Sequence, residues 1–168
     1  MARSRTAAAL ALAAATLAAA GCGSSAADKA AKGNTIVSLR VIKFKGQVLA
    51  LVPVQINGHA FTFALDTGAA GSLIDSQAAK LIEIPKTGAK ERGAGVKCTF
   101  TAAKVKVTSW RVGTIKLPAA TIVSVNLPFG NAHHGVQGLL GSDMLSKFDT
   151  VTIDYDHGIL KLHARPLA

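Results

Sequence analysis

Two cysteines in 168 residues, Cys22 and Cys98, are too few for a disulfide framework, so the fold must rest on its core. Cys98 sits in a strand-like stretch, Val96 to Phe100, with no histidine partner in that stretch, and reads as a small passive hydrophobe. Aromatic residues are also scarce, at 5%. None interleaves with Lys104 and Lys106, so the stacking platform of a nucleic-acid binder is missing and no nucleic-acid partner is expected. Acids are few as well: 9 stand against 19 Lys and Arg, for a formal charge of +10. That balance favours anionic neighbours, but the charges form no block beyond the first residues and read as a solvated basic surface. His133-His134 has no carboxylate or cysteine at ligand spacing, so neither a metal nor another cofactor is expected. The apolar run from Ala7 to Ala20 is too short to span a bilayer core of about 30 Å comfortably.

What is present at the N-terminus reads as an address. Arg3 and Arg5 precede the alanine-rich run, and Gly21-Cys22 follows it. This is the layout of a secretory signal peptide. Ala19-Ala20-Gly21-Cys22 resembles a bacterial lipobox, with Ala19 departing from the usual Leu. The resemblance implies cleavage before Cys22, acylation of that cysteine and a protein held on the bacterial envelope membrane outside the cytoplasm. Ordinary secretion with cleavage nearby is the alternative. Residues 22–34 are small and polar and read as a flexible tether. Loss of 1–21 removes Arg3 and Arg5, leaving 17 basic residues against 9 acidic, a net of +8.

The body, residues 35–168, reads as one all-β domain with one or two short helices. Ile36 to Val41 and Val48 to Ile56 are rich in branched residues, and Asn57-Gly58 signals a tight hairpin into His59 to Leu65. Asp75 to Ile82 suits a short helix capped by Asp75 or Ser76. Residues 83–95 read as loop, Val96 to Trp110 as a strand, and Ile115 to Leu127 as two strands broken near Leu117-Pro118. Residues 128–138 read as loop and Ser142 to Phe148 as a second short helix. Two further strands follow, Val151 to Tyr155 and Ile159 to Leu162.

Three stretches carry the chemistry. Phe63-Ala64-Leu65-Asp66-Thr67-Gly68-Ala69 is an apolar strand running into an acid. Leu139-Leu140-Gly141 precedes the second helix. Val151 to Asp154 and Ile159 to Leu162 close the domain. Asp-Thr-Gly alone is a weak signal, but in this context it is a strong one. Together the stretches resemble the retropepsin-like aspartic proteases, including bacterial secreted members. The resemblance implies a single-lobe acid-protease fold, Asp66 as the catalytic carboxylate, and Thr67, Gly68 and Ala69 as its supporting loop. It also implies that Thr67 bonds across a subunit interface. Leu139, Leu140 and Gly141 would pack beside the Asp66 loop in a ψ-shaped crossing. A flap over the substrate falls at about Glu91 to Phe100, with Gly93, Ala94 and Gly95 at its tip or flank; the bland reading is that these glycines only make a turn.

Metal-free hydrolysis of a peptide needs an activated water, and two close carboxylates sharing one proton can supply it. One takes a proton from the water while the other, protonated, polarises the carbonyl. A single Asp-Thr-Gly in this length provides one carboxylate, so the second must come from another copy across a two-fold axis. The expected partners are therefore a peptide or protein substrate, a second copy and a membrane. Gly68 is expected to allow a tight turn and bring its N–H to the carboxylate. In retroviral members an acid four residues after the catalytic Asp pairs with an Arg after the second-motif Gly. Ala70 and Ser142 stand here, and Asp143 is left to a structural role near the helix start. The rival functional reading is a catalytically silent module of the same fold that binds extended peptide or envelope material.

Overall fold

The computed structural model describes residues 33–88, 91–94, 99–128 and 133–164. Expectations for Cys22 with its leader and tether, for Gly95 and for Cys98 lie outside these residues. The first stretch of branched residues is two strands, not one. β1 (Thr35–Ser38) and β2 (Arg40–Phe44) part at Leu39, whose N–H donates to Gly158 O at 2.7 Å. β1 joins a three-stranded antiparallel sheet, β1-β13-β12, with β12 (Phe148–Asp154) and β13 (Ile159–Ala164).

β2 turns back into β3 (Gln47–Ile56) through Lys45-Gly46, and β3 into β4 (His59–Leu65) through Asn57-Gly58. All four turn residues have positive φ, the pattern of tight hairpins that match strand twist. Pro53 lies between the stretch of β3 that pairs with β2, ending at Leu51, and the stretch that pairs with the later strand β8 (Trp110–Val112), starting at Val54. A residue without an N–H costs least where that edge has no partner.

β5 (Leu73–Asp75) leads into α1 (Ser76–Leu81). Asp75, fully buried, caps that helix: its Oδ1 accepts from Gln77 N at 2.9 Å and Ala78 N at 3.3 Å. Its Oδ2 accepts from Leu127 N at 2.9 Å, which ties the helix start to the end of a distant strand. The stretch read as loop contains β6 (Glu91–Ala94), paired antiparallel with β7 (Thr99–Val107). The strand expected over Val96 to Trp110 is divided between β7 and β8 (Trp110–Val112). β9 (Ile115–Lys116) and β10 (Ala120–Val125) flank the expected break at Leu117-Pro118. β11 (Gly138–Leu140) precedes α2 (Ser142–Leu145).

Among the described residues the larger sheet runs β6-β7-β10-β5-β11-β4-β3-β8-β9, with β2 on β3. Along β3 and β4, Val52, Val54, Ile56, Phe61 and Phe63 are buried, while Pro53, Gln55 and Ala60 are exposed; the alternation ends at Leu51 and Ala64, which are buried as well. Val37, Leu160 and Leu162 of the small sheet join them in one apolar cluster. That shared core fixes one sheet on the other.

β11 passes close over Phe63, and only a glycine fits at its start. A Cβ on Gly138 would lie 2.3 Å from Phe63 Cζ. Gly138→Ala should therefore destabilise the fold by about 1–3 kcal/mol through overpacking. Adding Phe63→Leu should recover part of the loss. Urea unfolding of the two variants checks this, and additive losses would count against the contact.

Candidate active site

Asp66 stands just beyond the C-terminal end of β4, and three strands decide where its loop goes. The chain leaves β4, forms the loop 66–72 and returns as β5. β11, from seventy residues later, lies between them, parallel to β4 and antiparallel to β5. Its register sets Leu139 opposite Ala64 and Leu140 opposite Leu65. Asp66 N–H then donates to Leu140 O at 3.1 Å, so the ladder reaches the acid itself. This is the crossing expected for Leu139-Leu140-Gly141.

Beyond Leu140 the chain passes over the loop. A Cβ on Gly141 would lie 2.7 Å from the carbonyl carbon and 2.8 Å from the oxygen of Gly71, so backbone meets backbone there. Ser142 donates twice to Ala69 O, from its N–H at 2.9 Å and its hydroxyl at 2.8 Å. Gly141 N–H donates to Ser72 Oγ at 3.0 Å, and Ser72 Oγ donates to Asp143 Oδ1 at 2.7 Å. The same Asp143 oxygen accepts from Met144 N at 2.9 Å at the start of α2. Asp143 thus has the structural role expected of it, and Ser142 faces inward onto the loop.

The carboxyl group is held by the loop's own backbone. Asp66 Oδ1 accepts from Gly68 N at 2.9 Å and Ala69 N at 3.1 Å, while Ala69 N also approaches Asp66 O at 3.2 Å. Two N–H donors on one oxygen fix the rotation of the group. Asp66 is half-buried, Thr67 and Gly68 are exposed, and no described residue bonds to Asp66 Oδ2. The reach of Gly68 N–H to the acid is as expected, but the reason for a glycine is different. Its φ is not positive, and a Cβ would meet only Asp66 Oδ1 at 3.4 Å, an ordinary contact. Within one chain the backbone does not demand glycine at this point; the space above it is open.

Asp66, Thr67, Gly68 and Ala69 are thus brought together with Leu139, Leu140 and Gly141. Gly93 and Ala94 lie in β6, a hairpin with β7 at the end of the larger sheet, separated from β4 by four intervening strands. A concavity of about 850 Å³ lies between α1 and β7–β10, bounded by residues such as Lys80, Glu83, Ala103 and Asn126. Asp66 is not in its wall, so this groove is not where the acid would meet a substrate.

Three supporting residues escape a reading of the sequence. Ser72 is 2% exposed and bridges the loop to α2, yet a serine after a glycine looks like any turn residue. Gln137, in a stretch read as loop, is buried and joins both neighbours of β11. Its Oε1 accepts from Thr62 N and its carbonyl from Asp75 N, each at 2.8 Å. Gly138 is the third, and only the Phe63 contact explains it.

An acid at a strand end, clamped by its own loop and crossed by a hydrophobic-hydrophobic-Gly strand, is the catalytic-loop architecture of a single-lobe acid protease. The family model described as aspartyl protease matches residues 52–144, more than half of the chain, and the chain belongs to that family. Among solved structures it is similar to a retropepsin-like aspartic protease from Rickettsia conorii, at 19% identity and a TM-score of 0.52. The match covers 81% of this chain and 96% of that one. That likeness bears on the fold, and the all-β lobe with two short helices is the retropepsin-like fold. Among curated proteins none matches.

Ser72→Ala should leave the buried Gly141 N–H without an acceptor and Asp143 without its hydroxyl donor. The expected cost is about 1–3 kcal/mol in urea unfolding. Ser72→Thr, which keeps the hydroxyl, should cost less; equal losses for both would mean the hydrogen bonds are not what matters at this position.

Proposed function

We propose that the chain is an aspartic endopeptidase whose active site forms between two copies, each supplying Asp66. The observation that carries this reading is the state of the Asp66 carboxyl: one oxygen is fixed by Gly68 N and Ala69 N, and the other is left to the outside. Two such groups brought face to face share a single proton, because both cannot ionise at close range. The ionised member removes a proton from a water, whose oxygen attacks the peptide carbonyl carbon. The protonated member gives its proton to the carbonyl oxygen. The tetrahedral adduct then collapses: the C–N bond breaks, the amine nitrogen takes a proton from the dyad, a hydroxyl of the adduct returns its proton to the dyad, and a carboxylic acid and an amine leave.

Several features support a second copy. Thr67 is exposed beside the acid, where its hydroxyl can reach a facing loop. Gly68 leaves room for backbone to approach. Asp143 and Ser142 are engaged within the chain, so neither brings an unpaired charge or hydroxyl to the contact. The β6–β7 hairpin is the element suited to cover an extended peptide, with Gly93 and Ala94 in its first strand.

Residues 1–21 are read as a signal peptide, 22–34 as a tether and 35–168 as the protease domain, with Cys22 acylated at the outer side of a bacterial membrane. Among the described residues no helix is long and apolar enough to cross a membrane. A lipid on Cys22 plus a basic body would provide the two signals that stable anchoring takes.

Asp66→Asn should lower cleavage of an unfolded protein substrate by about 10²-fold to 10⁴-fold, while the fold persists because an amide oxygen accepts the same two N–H bonds. Specific activity should fall on dilution as dimers separate, and it should fall at both acidic and alkaline extremes because the dyad works with one proton. Cleavage unchanged by Asp66→Asn would sink the mechanism, and absence of cleavage by either form would favour the silent peptide-binding module. Cys22→Ser should release the protein from the membrane fraction of its host; continued association would remove the acylation reading.

A further inference from the structure

Acids are few in this chain, and two of its cations stand in an unusual place. β8 and β9 form a short antiparallel hairpin in which Arg111 lies directly opposite Lys116. On the other edge of β8, Gln55 of β3 lies opposite Arg111. The three side chains form one outward row, since all are exposed while Val54, Ile56, Trp110, Val112 and Ile115 are buried. Like charges directly opposite on a ladder oppose its formation. Among the described residues neither cation has an ion-pair partner, whereas Lys43 reaches Asp156 at 3.4 Å.

The row borders a recess of about 280 Å³ that Gly58, Ser109 and Trp110 complete. Trp110 supplies an apolar wall: it is 2% exposed, and its indole N–H donates to Pro118 O at 2.7 Å. Asn57 N–H donates to Ser109 O at 2.9 Å and holds that corner against the β3–β4 turn. An arginine, a lysine, a glutamine and a serine thus line one small concavity, and no acid is among its lining residues. That donor set suits a tetrahedral oxyanion, with the planar guanidinium able to bond two oxygens at once.

The recess also has a telling position. The turn of the hairpin, Gly113-Thr114, abuts the start of β1: Thr114 N–H donates to Thr35 Oγ1 at 3.4 Å, and a Cβ on Gly113 would lie 2.7 Å from that oxygen. Arg111 and Lys116 are each two residues from this turn, about 7 Å along a strand. The recess thus lies near the point from which residues 22–34 lead back to Cys22.

We propose that this recess is an anion site that takes a phosphate group, with Arg111 and Lys116 sharing its charge. The group is supplied either by the headgroup of a membrane lipid or as free phosphate. The headgroup source rests on the acylation of Cys22 proposed above; phosphate binding does not.

The test uses the full chain and inorganic phosphate. Titration should give saturable shifts in the Gln55 side-chain amide and the Ser109 backbone amide, and phosphate should raise the thermal midpoint. The double variant Arg111→Gln/Lys116→Gln should bind phosphate at least about tenfold more weakly. Without phosphate it should unfold no earlier than the parent, because the facing like charges are gone. If it unfolds early, Lys116→Gln alone is read in the same way. Equal affinity in parent and variant, or shifts that never saturate, overturns the site. Vesicles of phosphatidylcholine, with and without phosphatidylglycerol, separate the sources. A preference for phosphatidylglycerol that the variant lacks assigns the headgroup. Phosphate binding with equal vesicle association of parent and variant assigns free phosphate. Cys22→Ser should leave the phosphate shifts intact in either case, which keeps this site apart from anchoring.

Discussion

Everything near the acid depends on one crossing of backbone over backbone. The loop 66–72 would be an unsupported excursion from a sheet if β11 did not thread between β4 and β5. Once it does, Gly141 passes within contact of Gly71, and Ala69 O receives both donors of Ser142. Ser72 closes the circuit by joining Gly141 N to Asp143. Each bond is modest alone, at about 0.5–1.5 kcal/mol net. Their value lies in removing freedom: the loop is fixed at its root by Leu140, at its middle by Ser142 and at its end by Gly141. Asp66 then needs only two N–H groups of its own loop to hold the carboxyl in one orientation. A reacting group positioned by the scaffold loses little entropy when a substrate arrives.

The same crossing bears on the proposal that each chain supplies half of a site. Its circuit is closed within one copy, so the catalytic loop does not need a partner to be shaped. It leaves Thr67 and Gly68 exposed beside the half-buried Asp66, and no carboxylate of another described residue bonds to that acid. Viral relatives of this architecture add a charged pair around the loop; here Ala70 is exposed and Ser142 bonds to Ala69 O instead. Assembly of two copies then removes no opposite charges from water at these two positions. The lack of such a pair need not weaken the proposed assembly, since burying charge pairs is often neutral at best.

The sequence made the chemistry legible and left much of its support hidden, and the residues show why. Asp66-Thr67-Gly68 and Leu139-Leu140-Gly141 are local patterns, and local patterns can be read. So can Asn57-Gly58, whose turn geometry is a property of two residues, and Asp75, whose short side chain before a helical stretch reads as a cap. The division of Ile36 to Val41 at Leu39 could not be read, because Gly158, which receives its N–H, lies 119 residues away. β5 and β11 are three residues each, too short for alternation to register. Gln137 looks like a loop residue because its partners, Thr62 and Asp75, are brought to it only by the completed sheet. Gly68 is the converse case: a glycine here suggests a tight turn, and the turn forms between Asp66 O and Ala69 N, yet no positive φ demands a glycine at that position.

The scarcity of acids acquires a physical meaning once their partners are known. Asp66, Asp75, Asp143 and Asp154 all accept backbone N–H groups. Asp154 illustrates the consequence: the His157 N–H, and then the His157 ring, hold its carboxyl below the usual carboxylate range. A carboxyl depressed in this way lends its support above its ordinary pKa and loses it as pH falls through the lowered value. Acids that fix turns, caps and the catalytic loop are not free to neutralise surface lysines and arginines. Among the described residues Lys43 reaches Asp156 at 3.4 Å. The positive balance itself is set by composition, 19 Lys and Arg against 9 acids, and the phosphate recess proposed above is where two of those cations, Arg111 and Lys116, are set directly opposite one another on a ladder.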